Sequence, residues 1–320
     1  MRKIFAVLTF FMAVCFDISA QKIEKISMIW ETRYDLIDFG SEQNRIQASL
    51  RIPFQIDIAG AFNVNGLTSS GSSFQSRWET LKDLKKKEEN RRFNLNLRQF
   101  YLEKKINDFR VQFGALPAIK GFVSSTGLGS NGWMDGLRID QKTGIGTFEA
   151  AGGSINEINN PNFFDRVFVS NFFEFEFTGT FIPNSVIEFS YEKLASSDYL
   201  RSEYRYDLIK GSKKHLEFAI EGLYNTQRES LSFGFTVTTA PLAFIEEDLA
   251  KYMDLKVYFN HTDSNIGLRG ILTDDFYKFG NSVTIEAKGT ITSRKAVSWF
   301  FESYISEVPR FLAGLRFDIE

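Results

Sequence analysis

Cysteine is almost absent from this chain of 320 residues. Cys15 is the single one, and it lies in the N-terminal segment. A disulfide framework is thereby excluded, as is a cysteine-based metal centre, so stability must come from hydrogen bonding and packing. Two histidines leave little for a histidine-rich zinc site. A formal net charge of −2 gives no basic field for nucleic acid. Only six prolines argue against a disordered chain. Beyond the N-terminus, no apolar run approaches the roughly 20 residues that a spanning helix needs. What is abundant is aromatic: 34 Phe, with Phe, Trp and Tyr together making 15% of the chain. Many aromatics without long apolar runs is the composition of alternating strands.

The N-terminus has the three-part layout of a secretory signal. Arg2 and Lys3 are followed by the apolar run Ile4 to Phe16, broken only by Thr9. Ile18-Ser19-Ala20 then places a small residue before Gln21. Residues 1–20 are therefore read as a signal peptide and residues 21–320 as one folded unit.

Period-2 alternation recurs through that unit. Phe175, Phe177 and Phe181 share one face of a strand, with Glu174, Glu176, Thr178 and Thr180 on the other. Ile46, Ala48, Leu50, Ile52, Phe54 and Ile56 oppose Arg45, Gln47, Ser49, Arg51 and Gln55. The same holds at 283–292, where Glu286 and Lys288 take the polar side, and at 310–319, where Arg316 does and Leu312 is the exception. Further strands are read at 25–36, 93–106, 109–115, 137–142, 145–152, 167–182, 186–194, 199–209, 215–225, 230–239, 254–262, 265–273 and 296–305. Tight polar turns such as Asn107-Asp108 and Pro183-Asn184-Ser185 connect many of them. Helical patterns do not alternate with the strands, which excludes parallel βαβ units. Three segments break the pattern: 66–92, with a short helix predicted at 78–90; 121–136, rich in Gly and Ser around Trp133; and 241–252.

An export signal, many alternating strands and no linker point to a closed sheet in a bilayer. Only helices or closed barrels satisfy every backbone group there. The fold class read from the sequence is thus all-β, a transmembrane antiparallel up-and-down β-barrel. At roughly 18–20 residues per strand with its connection, the length predicts about 16 strands, within roughly 12–18. The apolar stripes face lipid and the charged faces a wet lumen.

The hairpin Arg98-Gln99-Phe100-Tyr101-Leu102-Glu103, a two-residue turn, and Phe109-Arg110-Val111-Gln112-Phe113-Gly114 resembles that of Gram-negative outer-membrane porin-like barrels. There an Arg/aromatic strand precedes one that ends in glycine before a long loop. The resemblance covers the whole chain in architecture and this hairpin in motif. It implies an outer-membrane channel for passive diffusion of small hydrophilic solutes, with no catalysis and no cofactor. It also implies contact with membrane lipids and lipopolysaccharide, handling by the barrel-assembly machinery, and a homotrimer as one assembly. Such barrels commonly end on an aromatic residue, whereas here Phe317 stands three residues before Glu320. The residues assigned to the pore lining are Arg51, Arg98, Arg110, Asp135, Glu174, Glu176, Glu286, Lys288 and Arg316, with 121–136 folding inward to narrow the pore.

Two other classes compete. Asn260-His261-Thr262-Asp263-Ser264-Asn265 resembles the His/Ser-Asn segment of outer-membrane lipases and lipid A deacylases. A spacing of three, however, puts His261 and Ser264 on opposite sides of a strand. A structural or assembly barrel with a plugged lumen is the other. Gly127-Leu128-Gly129-Ser130-Asn131-Gly132 lacks the Lys and following helix of a phosphate loop, and Lys85-Lys86-Lys87 reads as a solvated loop face.

Overall fold

The computed structural model describes residues 21–37, 43–58, 60–84, 93–121, 126–156, 158–211, 213–273, 279–291 and 296–319. The signal segment and Lys85-Lys86-Lys87 lie outside the described residues. Among the described residues, no helix is long and apolar enough to cross a membrane. The chain is instead an antiparallel sheet closed on itself.

Near the N-terminus, β1 (Gln21–Ile26) and β2 (Met28–Ile37) run along successive parts of β3 (Gln43–Ile58) and so occupy one position in the wall. On the other side of β3, β4 (Phe62–Ser70) and β5 (Glu79–Asp83) share another position, interrupted by residues 71–78. The wall continues through β6 (Leu95–Ile106), β7 (Phe109–Pro117), β8 (Trp133–Lys142), β9 (Gly146–Ser154), β10 (Phe172–Gly179) and β11 (Ser185–Leu194). It goes on through β12 (Ser197–Ile209), β13 (Leu216–Asn225), β14 (Ser230–Thr239), β15 (Asp254–Thr262), β16 (Gly280–Thr290), β17 (Val297–Ile305) and β18 (Arg310–Ile319). Pairing of β18 with β2 closes the ring, giving sixteen wall positions.

Side chains alternate across this wall as the pleat requires. On β10, Phe173 and Phe175 are each 48% exposed, while Glu174 is fully buried and Glu176 nearly so. Phe189, Ile220, Phe235 and Leu315 continue the exposed apolar exterior. In the bilayer that the sequence leads one to expect, a charge placed on that exterior meets hydrocarbon. Phe175→Arg is therefore expected to lower stability by about 2–4 kcal/mol, against far less for Ser298→Arg on the lumen face. Urea unfolding of vesicle-inserted protein measures both, and equal costs would refute this facing.

Three sequence expectations are corrected. The segment 66–92 hides the wall positions β4 and β5, and Glu79–Asp83 is strand where a helix was predicted. Asn265–Thr273 was read as a strand, but it turns at Gly267 (φ 89°) into a helical turn, Leu268–Ile271, between β15 and β16. The exterior strand predicted from Val167 begins only at Phe172.

One end of the barrel has mostly tight turns and the other the longer inserts 118–132, 155–171 and 263–279, while 71–78 interrupts the wall between β4 and β5. The exception is 240–253, two 3₁₀ turns joining β14 to β15 on the tight-turn side.

Candidate functional site

The insert after β7 folds into the barrel. Gly121 takes φ +65° and lies against Arg201 and Glu203 of β12, where a Cβ would collide with the guanidinium. Lys120 and Leu128 then pair through two backbone hydrogen bonds, of 3.2 and 3.0 Å, narrowing the loop's neck.

Charged side chains of the wall hold the loop. Lys120 is 7% exposed and meets Glu149, Glu174 (2.9 Å) and Glu176 (3.4 Å). Arg201 is buried between Glu188 and Glu203 and donates to the Thr126 hydroxyl at 3.1 Å. Thr126 in turn donates to Glu221 at 2.5 Å. Arg269, carried in by the insert after β15, pairs with Glu192 at 2.5 Å and donates to the Thr126 and Gly127 carbonyls at 2.7 and 3.0 Å. Across the lumen, Gln99 on β6 donates to the Ser130 and Gly132 carbonyls at 2.9 and 2.7 Å, and Arg51 on β3 to the Ser130 hydroxyl at 3.4 Å. The loop therefore bridges the β9–β13 wall and the β3–β6 wall.

A second insert, 71–78, is wrapped around Arg98. That guanidinium donates to the carbonyls of Ser70, Ser73 and Ser76, each at 2.8 Å, and to Asn131 at 3.4 Å. Arg77 grips Glu31 with two bonds of 2.7 and 3.2 Å, and Arg33 lies 4.1 Å over the Trp78 ring. Arg98→Ala is expected to release this insert, because three carbonyls lose their shared donor. Limited trypsin digestion of the folded barrel should then cut after Arg77 in the variant and leave the parent intact there.

Between the inserts an apolar cluster forms inside the barrel. Phe74, Leu128, Ile155, Ile266 and Leu272 from four connections pack on the wall residues Leu116, Met134, Phe172, Tyr199 and Leu223. Trp133 joins them, with its ring 5.0 Å from Phe74. Among the described residues, a cavity of about 960 Å³ lies open beside β2 and β16–β18, reaching from Gly129-Ser130-Asn131 to the 240–253 segment. That segment is tethered by Lys213 to Asp248 at 2.7 Å, an ion pair that holds the Asp248 carboxyl below its ordinary pKa.

The residues assigned from sequence separate into groups. Lys288 and Arg316 line the cavity. Arg110 faces inward near the tight-turn end, bonded to Asp140 at 2.6 Å, and Glu286 accepts a hydrogen bond from Tyr258. Arg51, Glu174 and Glu176 point inward but meet the folded loop. Arg98 is fully buried against backbone carbonyls, so it organises an insert and does not line open water. Asp135 is a correction. It shares the outer face of Leu137 on β8 and pairs with Arg166 of the 155–171 connection at 2.7 Å. Past Ile155, that connection brings Phe163 to 6.1 Å from Phe100, on the outer face. His261 directs its ring nitrogens to Asn281 (2.9 Å) and Asp263 (3.2 Å). Sequence reasoning missed Lys120 and Arg77, which lie on connections and meet wall carboxylates, and Glu192 and Arg201, which lie on the wall and meet Arg269 and Thr126 of connections.

Neither a protein-family model nor a curated protein matches the sequence. Solved structures do match in shape. A triple mutant of the Rhodopseudomonas blastica porin is similar at TM-score 0.59 and 9% identity, covering 93% of this chain and 100% of that one. Pseudomonas aeruginosa OpdQ is similar at 0.57 and 10%, covering 92% and 97%. A variant of OccD1 (OprD) is similar at 0.56 and 7%, covering 94% and 96%. At such identities the likeness is one of architecture: a closed antiparallel barrel with sixteen wall positions.

Proposed function

We propose that this protein is an outer-membrane channel through which small hydrophilic solutes diffuse passively. The observation that carries the reading is the cavity of about 960 Å³ held inside a closed barrel, polar within and apolar without, with a loop bridging the lumen beside it. In such a channel, selectivity comes from width and lining charge, and no covalent step is involved. Residues 1–20 act as the export signal, so mature protein begins at or near Gln21, which N-terminal sequencing of the membrane fraction tests. Membrane lipid and lipopolysaccharide cover the apolar exterior, the barrel-assembly machinery inserts it, and a homotrimer is the proposed assembly.

Insertion of purified, folded protein into planar bilayers tests the channel. Discrete conductance steps support it. A folded barrel that inserts and never conducts would favour the second reading, a plugged structural barrel. The apolar cluster of Phe74, Leu128, Ile155, Ile266 and Leu272 inside the lumen is the feature that speaks for that alternative.

A further inference from the structure

We infer that the channel, on the reading above, favours uncharged and zwitterionic solutes with an apolar face over ions of either sign. The lining of the cavity is rich in charge but balanced. Among the described residues it presents six Lys or Arg side chains and six carboxylates, besides His215, and four of each sign pair locally along its length. Near the loop, Arg77 meets Glu31 at 2.7 Å. On β18, Arg316 meets Asp318 at 2.8 Å. At the tight-turn end, Lys288 stands 3.7 Å from Asp254 and Lys213 2.7 Å from Asp248.

A lone charge in a narrow lumen attracts one ion sign and repels the other over about a Debye length, roughly 8–10 Å in physiological salt. A charge with its counter-charge about one hydrogen bond away leaves only a dipole, whose field falls off well inside that distance. An ion entering this cavity therefore gives up hydration without gaining a net opposite charge. A neutral or zwitterionic molecule gives up less and can hydrogen-bond to both members of each pair.

The same cavity carries an apolar surface. Trp78, on the 71–78 insert, packs against Phe300 of the wall with ring centroids 6.1 Å apart, and Leu312 lies on the neighbouring strand. A sugar or a small zwitterion with a hydrocarbon side suits such a lining better than a compact inorganic ion does. The volume falls within the roughly 300–1,000 Å³ of pockets that enclose drug-sized molecules.

The test is ion selectivity in planar bilayers under a KCl gradient, with liposome swelling on glycine, a neutral disaccharide, and charged amino acids of similar size. The parent protein is expected to show a K⁺/Cl⁻ permeability ratio within twofold of one, and faster swelling in glycine and the disaccharide than in the charged solutes. Asp318→Asn uncovers Arg316 and is expected to shift the ratio several-fold toward Cl⁻. Lys288→Gln leaves Asp254 with only the His215 ring, 3.2 Å away, and is expected to shift it toward K⁺. Because Lys288 is largely exposed, that variant folds even where a change on β18 does not. A parent ratio of tenfold or more in either direction, or ratios unmoved by both substitutions, would overturn this inference and leave the channel standing. A folded barrel that neither conducts nor swells would remove the channel and the inference together.

Discussion

Deleting Thr126–Asn131 is expected to raise single-channel conductance several-fold. Those residues carry the contacts that hold the inward loop at both walls: Thr126 to Arg201, Glu221 and Arg269 on one side, Ser130 to Gln99 and Arg51 on the other. Without them the loop retracts toward β7 and β8 and its cross-section becomes water. The sheet itself should survive, because its hydrogen bonds lie between wall strands and do not involve the loop. Conductance recorded from deletion and parent barrels of equal heat stability decides the matter. An unchanged value would place the conducting path away from the loop.

Replacing Lys120 with methionine is expected to destabilise the barrel by about 3–5 kcal/mol, the range found when one partner of a buried ion pair is removed. Glu149, Glu174 and Glu176 crowd its ammonium, and Arg138, 3.0 Å from Glu149, is the nearest remaining cation. Restoring the charge balance is the control. Lys120→Met combined with Glu174→Gln removes one of the uncompensated carboxylates, and the double variant is expected to recover part of the loss. Denaturant midpoints in vesicles measure the three proteins. A Lys120→Met midpoint no lower than that of Lys213→Met, whose ion pair is solvent-exposed, would show that the cluster does not hold the loop in place.

Much of the wall was legible because a pleated strand writes its two faces directly into the sequence. Phe173, Phe175, Glu174 and Glu176 announce lipid and lumen without any knowledge of their neighbours. The same rule would have placed Asp135 outside, since it has the parity of Leu137. Reading it as part of a pore loop overrode that signal.

The inserts were harder to read. Inside a barrel, a connection faces a polar wall on one side and other connections on the other, so it shows neither clean period. Residues 265–273 alternate enough to pass for a strand, yet Ile266 and Leu272 belong to the apolar cluster and Arg269 reaches Glu192, 77 positions away. Glu221 was read as inward-facing, and strand parity puts Glu188, Glu192 and Glu203 on the same side. Arg201, the partner of Glu188 and Glu203, stands on the wall beside them, but the Arg269 that meets Glu192 and the loop that both arginines hold depend on which connections bend inward, and that is fixed by tertiary packing.

The ring is sealed where β18 meets β2. Arg310 grips Asp35 there through bonds of 2.9 and 3.0 Å, joining residues 275 apart in the chain. Almost every other wall contact is a hairpin that can form as soon as its two strands exist. The seam cannot, because its two halves are the first and last parts of the barrel to be synthesised. Until β18 arrives, the curved sheet carries two open edges, β2 and β17, each a row of unpaired amides able to recruit another chain. A chain truncated before Arg310 is thus a sheet with adhesive margins, and a nascent one must be chaperoned through the same state.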